Sequence, residues 1–143
     1  MAARIWKKEF TIEGINALND ACMPGHLGIE ITEVGEDFLR AKMPVDNRNK
    51  QPMGLLHGGA SVVLAETLGS VAGLLCIEDL SKTIVGVEIN ANHLRSAKAG
   101  FVTGTAKPVK IGRSLQVWNI EITDEQGRLT CVSRFTAAVV DMR

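Results

Sequence analysis

Residues 57–77 read His-Gly-Gly-Ala-Ser-Val-Val-Leu-Ala-Glu-Thr-Leu-Gly-Ser-Val-Ala-Gly-Leu-Leu-Cys-Ile, a helix-length run that is apolar or small on nearly every side. A helix without a polar face has to be enclosed, so much of the remaining chain must surround it. Glu66 is the one carboxylate in the run. An unpaired charge in apolar surroundings is expensive, and it is tolerated where it has a partner or a chemical task. The run also has the length of a membrane span, and Gly69 and Gly73 stand at the spacing of small-residue helix dimers. Glu66 near the middle, Gly58-Gly59 at the start and the many Ala, Ser and Thr argue against a span. A patterned, soluble-type sequence follows, so the expectation is a buried helix with no membrane span.

The flanking segments supply the material to wrap it. Thr11 ahead of Ile12, Ile15 and Leu18 predicts a short amphipathic helix with Thr11 as its N-cap. Residues 27–34 and 38–45 predict two strands joined at Gly35-Glu36-Asp37; Leu39, Ala41, Met43 and Val45 alternate with Arg40 and Lys42. Residues 46–56 predict a polar loop. After a helix of about 57–78, Val85, Val87, Ile89 and Ala91 alternate with Gly86, Glu88, Asn90 and Asn92. Further strands are predicted at about 101–109, 114–123 and 128–140, with Gly127 at a left-handed position in the turn before the last. No repeat or linker divides the chain, so residues 1–143 form a single domain. The class is α+β, an antiparallel sheet of about six strands wrapped around one long central helix.

Charge and cysteines exclude several classes. The 16 basic and 16 acidic residues cancel, so the molecule carries no global field for nucleic acid or anionic membrane. Cys22, Cys76 and Cys131 are odd in number, far apart and free of any CxxC spacing. They predict reduced thiols and a cytoplasmic protein, not a disulfide framework or a zinc site. The N-terminal segment lacks the apolar core of a signal peptide.

The chemistry concentrates around Glu66. Ser70, four residues on, shares its helical face. Gly58 and Gly59 open the helix with unpaired N–H groups at the positive end of its dipole, suited to a carbonyl oxygen that gains negative charge. Glu66 lies about 12 Å along the axis from that end, too far to act on the same carbonyl carbon within one chain. A shared site would need the helix start of one subunit and Glu66 of another. Taken singly, each residue has a duller account: a satisfied core carboxylate for Glu66, a helix-start residue for His57, a loop side chain for Gln51, a packing residue for Ser70. No GxSxG elbow supports a serine triad, and His57, Glu66 and His93 lack metal-ligand spacing. No acidic residue occurs between Glu88 and Glu121, an interval that holds His93, Arg95, Lys98, Lys107, Lys110 and Arg113. It reads either as a solvated sheet edge or as a phosphate-binding surface where these cations converge near the Ile111–Ser114 turn. Neither a P-loop nor a GxGxxG motif is present.

The run Gln51-Pro-Met-Gly-Leu-Leu-His57 through Glu66 to Ser70 resembles the hotdog-fold acyl-CoA thioesterases, as do Met43-Pro-Val-Asp46, Glu88-Ile-Asn-Ala-Asn-His93, Gly112-Arg113, Gln116-Val-Trp118 and Asp124–Arg128. Within that family it looks most like the bacterial subgroup of dihydroxynaphthoyl-CoA hydrolases of menaquinone synthesis and enterobactin proofreading thioesterases. The resemblance implies hydrolysis of acyl-CoA thioesters with aromatic acyl groups, and Glu66 as general base or nucleophile. It further implies that Gly58 is the oxyanion donor, that His57 lies beside the thioester, that Gln51 places the attacking group and that Ser70 is near the acyl ring. Met53 would line the acyl pocket as a flexible thioether. CoA binding falls, by the same resemblance, on Val85, on Asn92, His93, Leu94 and Arg95, and on Val109, Lys110, Ile111, Gly112, Arg113 and Ser114. No cofactor or metal is implied, CoA being part of the substrate. The implied assembly is a homodimer with shared sites, paired into a dimer of dimers. The alternatives are a non-catalytic acyl-CoA-binding hotdog module, a hotdog dehydratase, and a thioesterase for carrier-protein or medium-chain thioesters.

Overall fold

The computed structural model describes residues 4–143. Thr11 caps α1 (Ile12–Asp20), its side chain accepting from the Gly14 N–H. A short α2 (Met23–His26) follows, then strands β1 (Glu30–Val34) and β2 (Leu39–Pro44), and the long α3 (Gly58–Leu75). Four strands complete the domain: β3 (Lys82–His93), β4 (Phe101–Ile111), β5 (Leu115–Thr123) and β6 (Leu129–Asp141). All pair antiparallel in the order β1-β2-β4-β5-β6-β3.

This is the expected hotdog arrangement, with the sheet curled around α3. Leu64, Ala65, Leu68 and Ala72 of α3 are fully buried against Leu39, Met43, Val102, Trp118, Ile120 and Phe135 from the sheet. The small residues that resembled a helix-dimer motif serve this packing. A Cβ at Gly69 would sit 2.5 Å from the Phe135 ring, and one at Gly73 2.5 Å from Gln116 Oε1. Gln116 bridges helix to sheet, donating to the Gly73 carbonyl at 3.1 Å and accepting from Trp118 Nε1 at 2.9 Å. The helix is long and apolar enough for a span, yet half of it is buried inside the domain. Its apolarity is accounted for as core.

The N-terminal part differs from expectation in two ways. The first strand begins at Glu30, not residue 27, because Gly28 takes φ 74° and breaks the extended run, while Leu27 and Ile29 still bury their side chains. Farther upstream, Met23–His26 form α2, a helix too short to show a periodicity. Residues 46–56 form a loop, as expected, pinned by the isolated Lys50–Leu56 bridge. Asn49 is buried there, its side chain accepting from the Asp46 N–H and donating to the Pro44 carbonyl. Gly127 occupies the left-handed turn position expected of it, at φ 77°.

Candidate active site

The start of α3 is built by local hydrogen bonds. His57 is the N-cap, with φ −66° and ψ 133°, and its Nδ1 accepts the Gly59 N–H at 2.8 Å. An accepting Nδ1 places the neutral ring's proton on Nε2. The N–H groups of Ala60 and Ser61 both donate to the His57 carbonyl, and the His57 N–H donates to Asn49 O at 2.8 Å. Gly58 is therefore the one first-turn N–H with no partner among the described residues. A Cβ there would stand 2.9 Å from His93 Nε2, so the imidazole lies over the helix start. Gln51 turns its side-chain oxygen inward to the Met53 N–H, which leaves its amide NH₂ free to donate. Gln51, Gly58, His93, Leu94 and Arg95 line one cavity of about 380 Å³.

Glu66 opens onto a different one. That cavity, about 340 Å³, has Val63, Val71, Met23 and Pro24 as apolar walls, with Thr67, Ser70 and Asn19 beside the carboxylate. Glu66 and Ser70 share a face, as their spacing predicts. The carboxylate is only half-buried, not enclosed as the apolar run suggests, because the helix turns this face away from the sheet's interior. No ion pair or hydrogen bond ties it to another described residue. Its Oε1 would lie 2.9 Å from a Cβ at Gly86, so the missing side chain in β3 makes room for it. Met53 is 81% exposed and lines neither cavity in the single chain.

The residues assigned to CoA are divided. Val85 and Leu115 share the partner Ala138 across β6, whereas His93 pairs with Cys131 and lies beyond Ile122. The Ile111–Ser114 turn thus sits at one end of the sheet and Asn92–Arg95 at the other, about 27 Å apart along β3. Within one chain the cations of the acid-free interval do not converge, which corrects the single-surface reading: β4 carries Lys107 and Lys110 back across the sheet. The turn's Gly112 N–H is also committed, donating to Leu115 O at 2.8 Å. Val85, Asn92, Val109, Lys110, Arg113 and Ser114 are all exposed. Ile111–Ser114 line a third cavity together with Lys82 and Asp79.

Sequence reasoning passed over Asn19, Met23, Pro24 and Gly86. Gly86 carried a usable signal, since a glycine inside a β-branched strand marks a bulge or a close approach; β3 is bulged there, between Gly86 and Glu88. The cysteines are free, and burial pushes the Cys76 thiol up to about 12 and raises Cys131 as well. No cluster of three or more His, Cys, Asp or Glu able to hold a metal occurs among the described residues.

A family profile described as Thioesterase superfamily matches residues 53–131, the stretch from the α3 approach to β6. The chain is 57% identical to a 1,4-dihydroxy-2-naphthoyl-CoA hydrolase of Escherichia coli, over 95% of this chain and 99% of that protein. It is 52% identical to the proofreading thioesterase EntH of Cronobacter turicensis, over 95% and 98%. Among solved structures, a Haemophilus influenzae thioesterase superposes with a TM-score of 0.93 at 54% identity, covering 96% of this chain and 95% of that one. A mutant thioesterase from Pseudomonas aeruginosa superposes at 0.94 with 43% identity, over 96% and 99%. A long helix enclosed by six antiparallel strands, matched along nearly its whole length by such relatives, places the chain in the thioesterase superfamily as a hotdog-fold thioesterase.

Proposed function

We propose that this thioesterase hydrolyses aromatic acyl-CoA thioesters, of the 1,4-dihydroxy-2-naphthoyl or benzoyl type, with Glu66 as general base or nucleophile. The observation that carries the reading is the unpartnered Glu66 carboxylate at the mouth of a largely apolar cavity. The name of the Escherichia coli relative supports the naphthoyl substrate and a place in menaquinone synthesis. The Cronobacter relative's name favours a second reading, an aryl thioester on a carrier protein.

In this mechanism the Gly58 N–H receives the thioester carbonyl oxygen, where one such donor is worth about 2.7–4 kcal/mol in the transition state. Glu66 takes a proton from water as that water attacks the carbonyl carbon. Alternatively it attacks directly, forming a mixed anhydride that water then opens. The C–S bond breaks, and CoA leaves as a thiolate that regains the proton. Gln51 orients the attacking group, His57 Nε2–H faces the thioester, and Ser70 borders the acyl group.

The site is proposed to form between two subunits. The two edges of the sheet differ in a way that favours this. At one edge β1 is short and flanked by the Arg40–Glu33 and Lys42–Glu30 ion pairs. At the other, the twelve-residue β3 exposes Val85 and Val87 and has no outer neighbour among the described residues. Antiparallel pairing of β3 with its copy sets the Gly86 region of one strand across from the His93 region of the other. Glu66, lying against Gly86, then meets Gly58 of the partner subunit, which lies against His93. The same pairing joins the Arg95 end of one chain to the Arg113 end of its partner, which supports a CoA site made from both. Three free thiols, two of them buried, support a reducing, cytoplasmic setting.

Thiol release from benzoyl-, naphthoyl- and aliphatic-CoA panels tests the reading. Glu66→Gln is expected to keep the native circular dichroism and lose about 10²–10⁴-fold in turnover. Near wild-type turnover in that variant would reject the assignment.

A further inference from the structure

Asn19 closes the cavity that Glu66 opens onto, from the last turn of α1. Its side-chain Nδ2 is cut off from solvent and has no hydrogen-bond partner. Leaving a buried amide donor unmade is costly, and folded proteins rarely keep one without a reason. Met23, Pro24, Val63 and Val71 offer no acceptor side chain, and the oxygens of Glu66, Thr67 and Ser70, which line the same cavity, accept nothing from it. The Asn19 main-chain carbonyl already accepts from the Cys22 N–H at 3.1 Å, so the backbone here is fixed while the carboxamide can still turn about its broad terminal torsion.

We propose that Asn19 is a specificity-determining residue: its carboxamide donates to an oxygen substituent on the acyl group held in the Glu66 cavity. This rests on the proposed reading that the acyl group occupies this cavity. The apolar walls suit a flat hydrocarbon ring, and the buried, unpartnered amide donor suits one oxygen on it. A donor that is satisfied only when such a substrate is bound selects substituted rings over bare ones, because the bare ring leaves the N–H without a partner.

The test compares benzoyl-CoA with 2-, 3- and 4-hydroxybenzoyl-CoA on wild type, Asn19→Leu and Asn19→Ala, with Glu66→Gln alongside. For at least one hydroxylated substrate, the kcat/KM ratio to benzoyl-CoA is expected to fall by about tenfold in Asn19→Leu, the effect of one neutral hydrogen bond. Benzoyl-CoA, which offers Asn19 no oxygen, should lose less than that substrate does. Ligand-free Asn19→Leu is expected to melt no lower than wild type, since it removes an unmade donor; a merely structural asparagine would lower the melting temperature. Asn19→Ala must show the same loss of selectivity, even at a cost in stability. Ratios unchanged for all three hydroxylated substrates in both variants, or an equal loss on benzoyl-CoA, would overturn the proposal. Such a failure is distinct from failure of the underlying reading, in which Glu66→Gln would keep its turnover.

Discussion

The first turn of α3 and the turn that carries Glu66 belong to one helix, yet they are prepared by opposite means. At the start, nearly every polar group is committed to a local bond: His57 Nδ1 to Gly59, Gln51 Oε1 to Met53, Asn49 O to His57. What remains idle on the main chain of the first turn is one N–H, at Gly58. Two turns later no local bond holds the functional group at all. Glu66 is positioned by packing, with its carboxylate set against Gly86 and its surroundings assembled from α1, α2 and β3. The donor is made by capping and the carboxylate by tertiary structure. They open onto separate cavities of one chain, and the proposed reading makes each half of a site.

Removing the capped donor should cost more than shifting the carboxylate. Gly58→Pro deletes the idle N–H at a first-turn position where proline fits, after a residue already in an extended conformation. Turnover is expected to fall about 10²–10³-fold with the helix intact. Gly58→Ala meets His93 Nε2 in the same way but keeps the donor, so it should retain most activity. Equal losses in the two would assign the effect to the His93 contact. Disturbing the packed half should cost less. In Gly86→Ala the new methyl would displace the Glu66 carboxylate and press on the Phe135 ring 3.2 Å away, and about 10–10²-fold loss in kcat is expected from misplacement. Activity equal to wild type would mean that the position of Glu66 over Gly86 is irrelevant to the reaction.

The smallest effect concerns the connector that delivers Gln51 and His57. Hydrogen bonds from Arg48 hold the Asp46 carboxyl at about 2, below its ordinary 3.8. A carboxyl lowered in the folded state stabilises above its unfolded value, and that contribution disappears as pH falls through the folded one. The urea midpoint of wild type should therefore exceed that of Asp46→Asn slightly at pH 7, and the gap should close between pH 4 and pH 2. A gap that widens on acidification would contradict the sign. The pair is solvent-exposed, so the difference is small.

The fold was legible because two periods alternate cleanly in this chain. An all-apolar helix and strands such as Leu39–Val45 leave few ways to enclose one in the other. As candidates, Glu66 and Gly58 stood out in their local pattern, Ser70 by its spacing from Glu66, and Gln51 only through the family resemblance. The boundaries of the cavity were not legible. Asn19 belongs to an ordinary amphipathic helix, α2 is one turn long, and only tertiary packing brings both beside Glu66. The division of the cationic interval was hidden too, since a strand of eleven residues separates by distance what lies close in sequence.

The central claim, that each site joins Glu66 of one subunit to Gly58 of another, is tested most directly by mixing two inactive variants. Glu66→Gln and Gly58→Pro chains, dissociated and reassociated together, form mixed dimers in which one site of two is intact. Random pairing predicts recovery of about one quarter of wild-type thiol release. A mixture no more active than its parents would place the carboxylate and the donor in the same chain, and would contradict the account.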